Sequence, residues 1–292
     1  MTNLTALSRL IRLPLSAMVA LSALTGALAA DPYMPGITLW ALAWGIFLLS
    51  SACSVLNQVQ ERTTDALMRR TCRRPLACGA LTATTGMAIG VLFGSGGLAI
   101  LFTVTGAETA LLGLLATSWY LLVYTPLKRR SALAVIAGTP CGALPPLIGW
   151  LAAGGNPFDP QPLALALLMV LWQVPHYWLL ALPDREELKR AGFRVLPKNF
   201  TGGQLLNLSH AWILGMVAAT LLLVSIRLVQ LPILQGVIAG LAIAFAIWAT
   251  RTHKKTPFVD IIAAKLRVGL HIYLGLILGS ILLNSLFLRL FA

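Results

Sequence analysis

Residues 37–76 read ITLWALAWGIFLLSSACSVLNQVQERTTDALMRRTCRRPL. Residues 37–56 are uncharged and about long enough to cross the hydrocarbon core of a bilayer as a helix. Asn57, Glu61 and Asp65 follow at spacings of four, which puts them on one helical face. Arg69, Arg70, Arg73 and Arg74 come next. Two carboxylates and an amide oxygen are hard ligands of the kind that hold Mg²⁺. Arginines placed beside them suit a diphosphate. A loop that only sets topology needs the arginines, but not an amide and two carboxylates on one face at a membrane boundary.

Only 11% of the 292 residues are charged and 58% are hydrophobic. Soluble domains carry about 25% charged residues, so this is a polytopic membrane protein. No polar stretch is long enough to fold as a second domain, and residues 1–292 are read as one integral-membrane domain. The four cysteines, Cys53, Cys72, Cys78 and Cys141, have no metal-type spacing and are read as packing residues. Arg9 and Arg12 precede an apolar run ending in GALAAD, which has the look of a cleaved leader. It is read instead as a retained first helix, because its removal would reverse the charge logic of every later loop.

Nine spanning segments are expected, at about 10–30, 37–56, 83–103, 109–126, 132–152, 162–182, 208–229, 232–250 and 268–290. With the N-terminus inside, twenty of the 22 basic residues fall on one side, leaving Arg227 and Arg289 near the outer ends of spans. The positive-inside rule then gives a cytoplasmic N-terminus and an outside C-terminus. It also assigns the net charge of +13 mostly to topology rather than to nucleic acid. The fold expected is all-α, nine transmembrane helices bundled around a central cavity. The long inner loops, 57–82 and 183–206, follow spans two and six, which hints at a repeat of four-helix units.

Four further stretches stand out. Tyr124-Thr125-Pro126-Leu127-Lys128-Arg129-Arg130 ends the fourth span, with Lys128 and Arg129 placed for a phosphate or simply as a membrane anchor. Residues 138–150, GTPCGALPPLIGW, read as architecture: small residues for close helix contact and a Pro-Pro pair that breaks or kinks the helix. Trp172-Gln173-Val174-Pro175-His176-Tyr177-Trp178 suits a ring-stacking surface, a proton donor or acceptor, a haem-iron ligand, or a histidine merely satisfied within the bundle. Asp184-Arg185-Glu186-Glu187 is a second acidic cluster on the same side as Asp65, either a second Mg²⁺ site or a salt-bridged surface helix. His210, His253 and His271 receive no role.

These motifs together resemble the UbiA superfamily of intramembrane prenyltransferases, and within it the branch that acts on haem. The resemblance rests on N-x3-E-x3-D-x2-M-x-R-T-x2-R-P-L (57–76), Y-T-x-L-K-R (124–129), G-A-x-P-P-L-x-G-W (142–150), W-Q-x-P-H (172–176) and Val195-Leu196-Pro197. It implies nine helices, an inside N-terminus, and farnesyl transfer from farnesyl diphosphate to a vinyl group of haem B, with haem as substrate rather than cofactor. Mg²⁺ on Asn57, Glu61, Asp65 and Glu187 would stabilise the leaving group, with Arg70, Arg74, Lys128 and Arg129 on its phosphates. Tyr124 would steady the carbocation or the pyrophosphate, and Trp172 and His176 would position the porphyrin. The chain departs from the family in having Glu61 where Asp is usual, Glu186-Glu187-Leu188 where a basic residue and Asp-Tyr are expected, and Arg194 in place of a proline. A bacterial plasma membrane is expected from the lack of an Arg- and Ser-rich transit segment. Docking with a haem A synthase or a terminal oxidase stays open. Rival readings are a related prenyltransferase with a quinone-precursor or other aromatic acceptor, a transporter, and an assembly factor without catalysis. The Trp172–His176 stretch discriminates the first. The second should carry its charges near the bilayer midplane, and the third would survive loss of Asn57, Glu61 and Asp65.

Overall fold

The computed structural model describes residues 3–194, 200–254 and 258–291. The Val195-Leu196-Pro197 motif, Lys198 and Lys255 lie outside them. Nine helices among the described residues are long and apolar enough to cross a membrane. They are α1 (Leu13–Ala30), α2 (Gly36–Asp65), α3 (Ala83–Thr105), α4 (Ala107–Arg130), α5 (Ala134–Ala152), α6 (Pro160–Ala181), α7 (Gly202–Ser225), α8 (Pro232–His253) and α9 (Val259–Phe291). The number agrees with the sequence reading, but several helices are longer at the basic end. Helix α2 continues nine residues past its apolar run, to Asp65, and α9 begins at Val259 rather than near 268. Hydropathy detects the hydrocarbon-spanning part; the backbone stays helical beyond it because its hydrogen bonds are made within the segment.

The helices close into a bundle, with α9 packed on α1, α6 and α8. One large apolar core joins α6, α7, α8 and α9, and a second joins α1, α2 and α5. Between them lies an apolar cavity of about 160 Å³ lined by α1, α2, α4, α5, α6 and α9. The outward faces carry exposed Trp40, Trp44, Leu92, Phe102 and Leu122, an arrangement suited to lipid. Burial on α2 follows the helical period. Ser51, Ser54, Gln58, Glu61 and Asp65 are all buried, so one polar face of this helix points inward, while Gln60, Arg62 and Thr63 on the other side are exposed.

Helices α1 and α5 approach closely enough to need glycine on both sides. A Cβ at Gly26 would collide with the Pro146 carbonyl oxygen, and one at Gly149 with that of Ala23. Helix α5 runs unbroken through Pro145 and Pro146 over Pro140–Ala152. The expected irregularity sits a turn earlier, where the Ala134–Ala137 segment gives way to it. Both prolines are buried, and proline is tolerated in spanning helices because surrounding groups re-satisfy the freed backbone.

Gly149→Ala should therefore destabilise the bundle by about 1–3 kcal/mol, the usual cost of overpacking. Gly236→Ala, whose Cβ would meet open space within α8, should be neutral or slightly stabilising. Thermal unfolding of the two purified variants checks both signs.

Candidate active site

The inward face of α2 brings Asn57, Glu61 and Asp65 together, at 2%, 4% and 1% exposure. Each is tied to a different element. Asn57 Nδ2 donates to Thr125 Oγ1 at 3.3 Å, and its Oδ1 accepts from the Tyr120 hydroxyl at 3.4 Å. Lys128 Nζ lies 2.7 Å from Glu61 Oε1. Arg74 Nη1 donates to Asp65 Oδ2 at 2.7 Å. Arg74 can do so because the chain turns back after α2, pinned where Thr71 Oγ1 donates to the Asp65 carbonyl.

A polar cavity of about 110 Å³ opens on these groups, and Arg12, Arg70, Tyr124 and Asp184 also line it. Asp184 pairs with Arg70 at 3.5 Å. Burial holds the Arg70 guanidinium below its ordinary pKa, as does the neighbouring Arg74, while Asp184 opposes the shift. Arg70 nonetheless stays a cation at any physiological pH. The Lys128 ammonium also stands over the Tyr124 ring, 5.1 Å from its centre. The segment 183–194 closes the cavity from the basic end. Ala191 and Phe193 pack on Met68, and the Arg194 amide donates to the Lys128 carbonyl at 2.8 Å.

Two of the residues singled out in the sequence lie elsewhere. Arg129 is on the outer side and donates to Thr64 Oγ1 at 3.3 Å. Glu187 sits against Arg69, accepting its backbone N–H at 3.2 Å. The carboxylate of that acidic cluster that reaches the cavity is Asp184.

Four lining residues escape a reading based on spacing. Arg12 counts in the sequence only as a topology charge. Here it adopts a left-handed φ of 51° at the start of α1, which breaks that helix from the short Asn3–Ile11 helix. Tyr120 sits on a π-helical turn, Trp119–Tyr124, that no propensity announces. Tyr177 and Asp184 stand within longer motifs and carry no separate signal of their own. Tyr120 and Tyr177 matter most, because both line the polar cavity and the apolar one. The two spaces thus meet at a pair of tyrosines. Trp172, Gln173, His176, Cys53 and Cys141 line the apolar side. Among the described residues no three His, Cys, Asp or Glu side chains form a metal-binding group.

A multi-pass helical membrane protein with a cation-lined polar cavity next to an apolar one is the class that these observations define. The model of the UbiA prenyltransferase family matches residues 19–286, and the chain belongs to that family. Relatives named protoheme IX farnesyltransferase include one from Nitratidesulfovibrio vulgaris (strain DP4), 35% identical over 81% of this chain and 83% of its own. Another, from Oleidesulfovibrio alaskensis, is 41% identical over 75% and 77%. Among solved structures, a digeranylgeranylglyceryl phosphate synthase superposes with a TM-score of 0.76 at 17% identity, covering 98% of this chain and 99% of its own. A UbiA homologue from Archaeoglobus fulgidus bound to GPP and Mg²⁺ gives 0.69 at 15% identity, covering 94% and 99%. At such identities these two speak for the fold.

Because Glu61 and Lys128 are both buried, Lys128→Met should destabilise the protein by about 3–5 kcal/mol through an uncompensated charge. Adding Glu61→Gln should recover most of the loss. Thermal melts of the single and double variants in detergent decide it.

Proposed function

We propose that this chain transfers a farnesyl group from farnesyl diphosphate to a vinyl group of haem B to give haem O. We place it in a bacterial plasma membrane, with the polar cavity at the cytoplasmic side, the N-terminus inside and the C-terminus outside. The observation that carries the reading is a charged cavity beside an apolar one, with Tyr120 and Tyr177 in the walls of both. An allylic diphosphate has this same division, an anionic head and a hydrocarbon tail. The relatives' name, protoheme IX farnesyltransferase, supports haem as the acceptor. The placement of twenty of the 22 basic residues supports the orientation.

Mg²⁺ fits the residues present. The ion takes one or two protein carboxylates and fills its remaining positions with water and substrate phosphate oxygens. Asn57, Glu61 and Asp65 offer two carboxylates and an amide oxygen on one buried face, without the third acidic ligand that an all-protein cage would need. These three residues would hold the ion, and when bound it would neutralise charge on the departing diphosphate. Asp184 lines the same cavity, which supports it rather than Glu187 as the second acidic contributor.

The chain's own groups do the rest. Breaking the allylic C–O bond sends its electron pair to the diphosphate, and Arg70, Arg74, Lys128 and Arg12 supply fixed positive charge at that end of the cavity. The farnesyl cation left behind faces Tyr120, Tyr124 and Tyr177, whose rings form a run with centres 5.5 and 6.1 Å apart. The apolar cavity holds the tail and keeps water from the cation until the acceptor's vinyl electron pair has formed the new carbon–carbon bond. Water then adds to the resulting porphyrin side-chain cation, loses a proton and leaves the hydroxyl. Trp172 and His176, on the apolar wall, orient the acceptor.

Cells expressing the chain should contain a hydroxyethylfarnesyl haem, detected by mass spectrometry of extracted haems and missing from vector controls. In Asp65→Ala it should fall below detection while the protein remains in the membrane. Undiminished product in that variant would refute the metal site. Haem B alone, from folded protein supplied with farnesyl diphosphate, would refute the acceptor and point to a quinone precursor.

A further inference from the structure

His271 had no role in the sequence, yet the structure places it in an aromatic cluster beside the acceptor wall. Its ring centre is 4.7 Å from that of His176, with the planes at 80°, and 5.5 Å from that of Trp172. Trp172 stacks on His176 at 4.8 Å. Tyr177, which lines both cavities, lies 5.4 Å from His176. On α9, Arg267, His271, Leu274 and Leu278 recur at helical spacing. Leu274 and Leu278 line the apolar cavity, so this stripe carries a cation and an imidazole to its edge.

The chemistry of the His271 ring is settled by its neighbour. Nδ1 is 2.7 Å from the Arg267 carbonyl oxygen. A carbonyl only accepts, so Nδ1 donates, and the neutral ring so held presents the Nε2 lone pair. Histidines that bind metals are typically oriented in this manner, through a hydrogen bond from the other nitrogen. The ring is also exposed. His176 differs: its Nδ1 is buried without a partner, and Trp172 stacks on its ring. The two imidazoles cannot share one iron as they stand. Opposed ligands at about 2 Å from the metal need roughly 6 Å between ring centres. Arg267 is half-buried and has no carboxylate partner among the described residues.

We propose that His271 Nε2 ligates the iron of an iron porphyrin and that the Arg267 guanidinium pairs with one of its carboxylates, which together select a metallated, anionic tetrapyrrole as acceptor. The proposal rests on the haem reading above.

The test is titration of ferric haem and of metal-free protoporphyrin IX into the purified full-length protein, followed by Soret absorption. The unaltered protein should bind ferric haem saturably with an imidazole-ligated band. His271→Ala should lose that band, bind ferric haem more weakly by at least the roughly 10- to 100-fold that loss of a mere outer-shell partner costs, and bind metal-free protoporphyrin as before. Free imidazole should restore the band. Arg267→Gln should weaken both porphyrins and leave the band in place. An unchanged band and affinity in His271→Ala would overturn the proposal. So would equal loss of both porphyrins in that variant, or a band that vanishes only in His176→Ala. Haem O formation that persists with any of these results leaves the transfer reading standing and removes only the ligand. Prenylation of another acceptor by an unaltered protein that binds no haem removes both.

Discussion

Two carboxylates buried at the end of a membrane helix are the constraint on which the rest of this structure depends. Glu61 and Asp65 could not stay ionised there alone, since an unpaired buried charge costs several kcal/mol. Each is compensated by a cation from a different place. Lys128 comes from the end of α4 and Arg74 from the loop that turns back after α2. Compensation therefore dictates tertiary structure. It fixes the end of α4 against α2, folds 66–82 back on itself, and draws segment 183–194 over the top through Asp184 and Arg70. Burying an ion pair adds little stability over an apolar replacement. The arrangement makes more sense as a set of charges held ready for a ligand.

Much of the architecture was legible because membranes enforce simple rules. Spanning helices need long apolar runs, and basic residues segregate to one side, so α1 to α9 and their alternation could be read from spacing and charge. The inward face of α2 was legible for the same reason: Asn57, Glu61 and Asp65 are too costly at a membrane boundary to be accidental. Helix ends at the basic side were less clear. Residues 57–65 and 259–267 are polar enough to leave the hydrocarbon, and nothing in hydropathy says whether the backbone stays helical once outside it.

The less legible parts are those where local geometry chooses among similar residues. Asp184, Glu186 and Glu187 are chemically alike and nearly adjacent, and only the turn ahead of the short Arg185–Arg190 helix decides which faces the cavity. A π-helical turn aims Tyr120, and the left-handed backbone of Arg12 itself separates α1 from the short helix before it; neither leaves a periodic trace. His271 was invisible for a different reason. Its partners are Trp172 and His176, about a hundred positions earlier, and only the packing of α9 on α6 brings them together.

The charges also separate the enzyme from a carrier. Alternating access places the binding site near the bilayer midplane, between moving halves. In this bundle every close ion pair among the described residues sits at the basic end, and the middle is an apolar cavity walled by six helices. Small residues lock α1 to α5 at Gly26 and Gly149, which opposes sliding between those helices. A fixed scaffold with a charged end and a dry interior suits chemistry in which an ion pair is created and must be kept from water. The diphosphate can be held at the polar end, while the cation forms against aromatic rings in a space where only the acceptor can meet it.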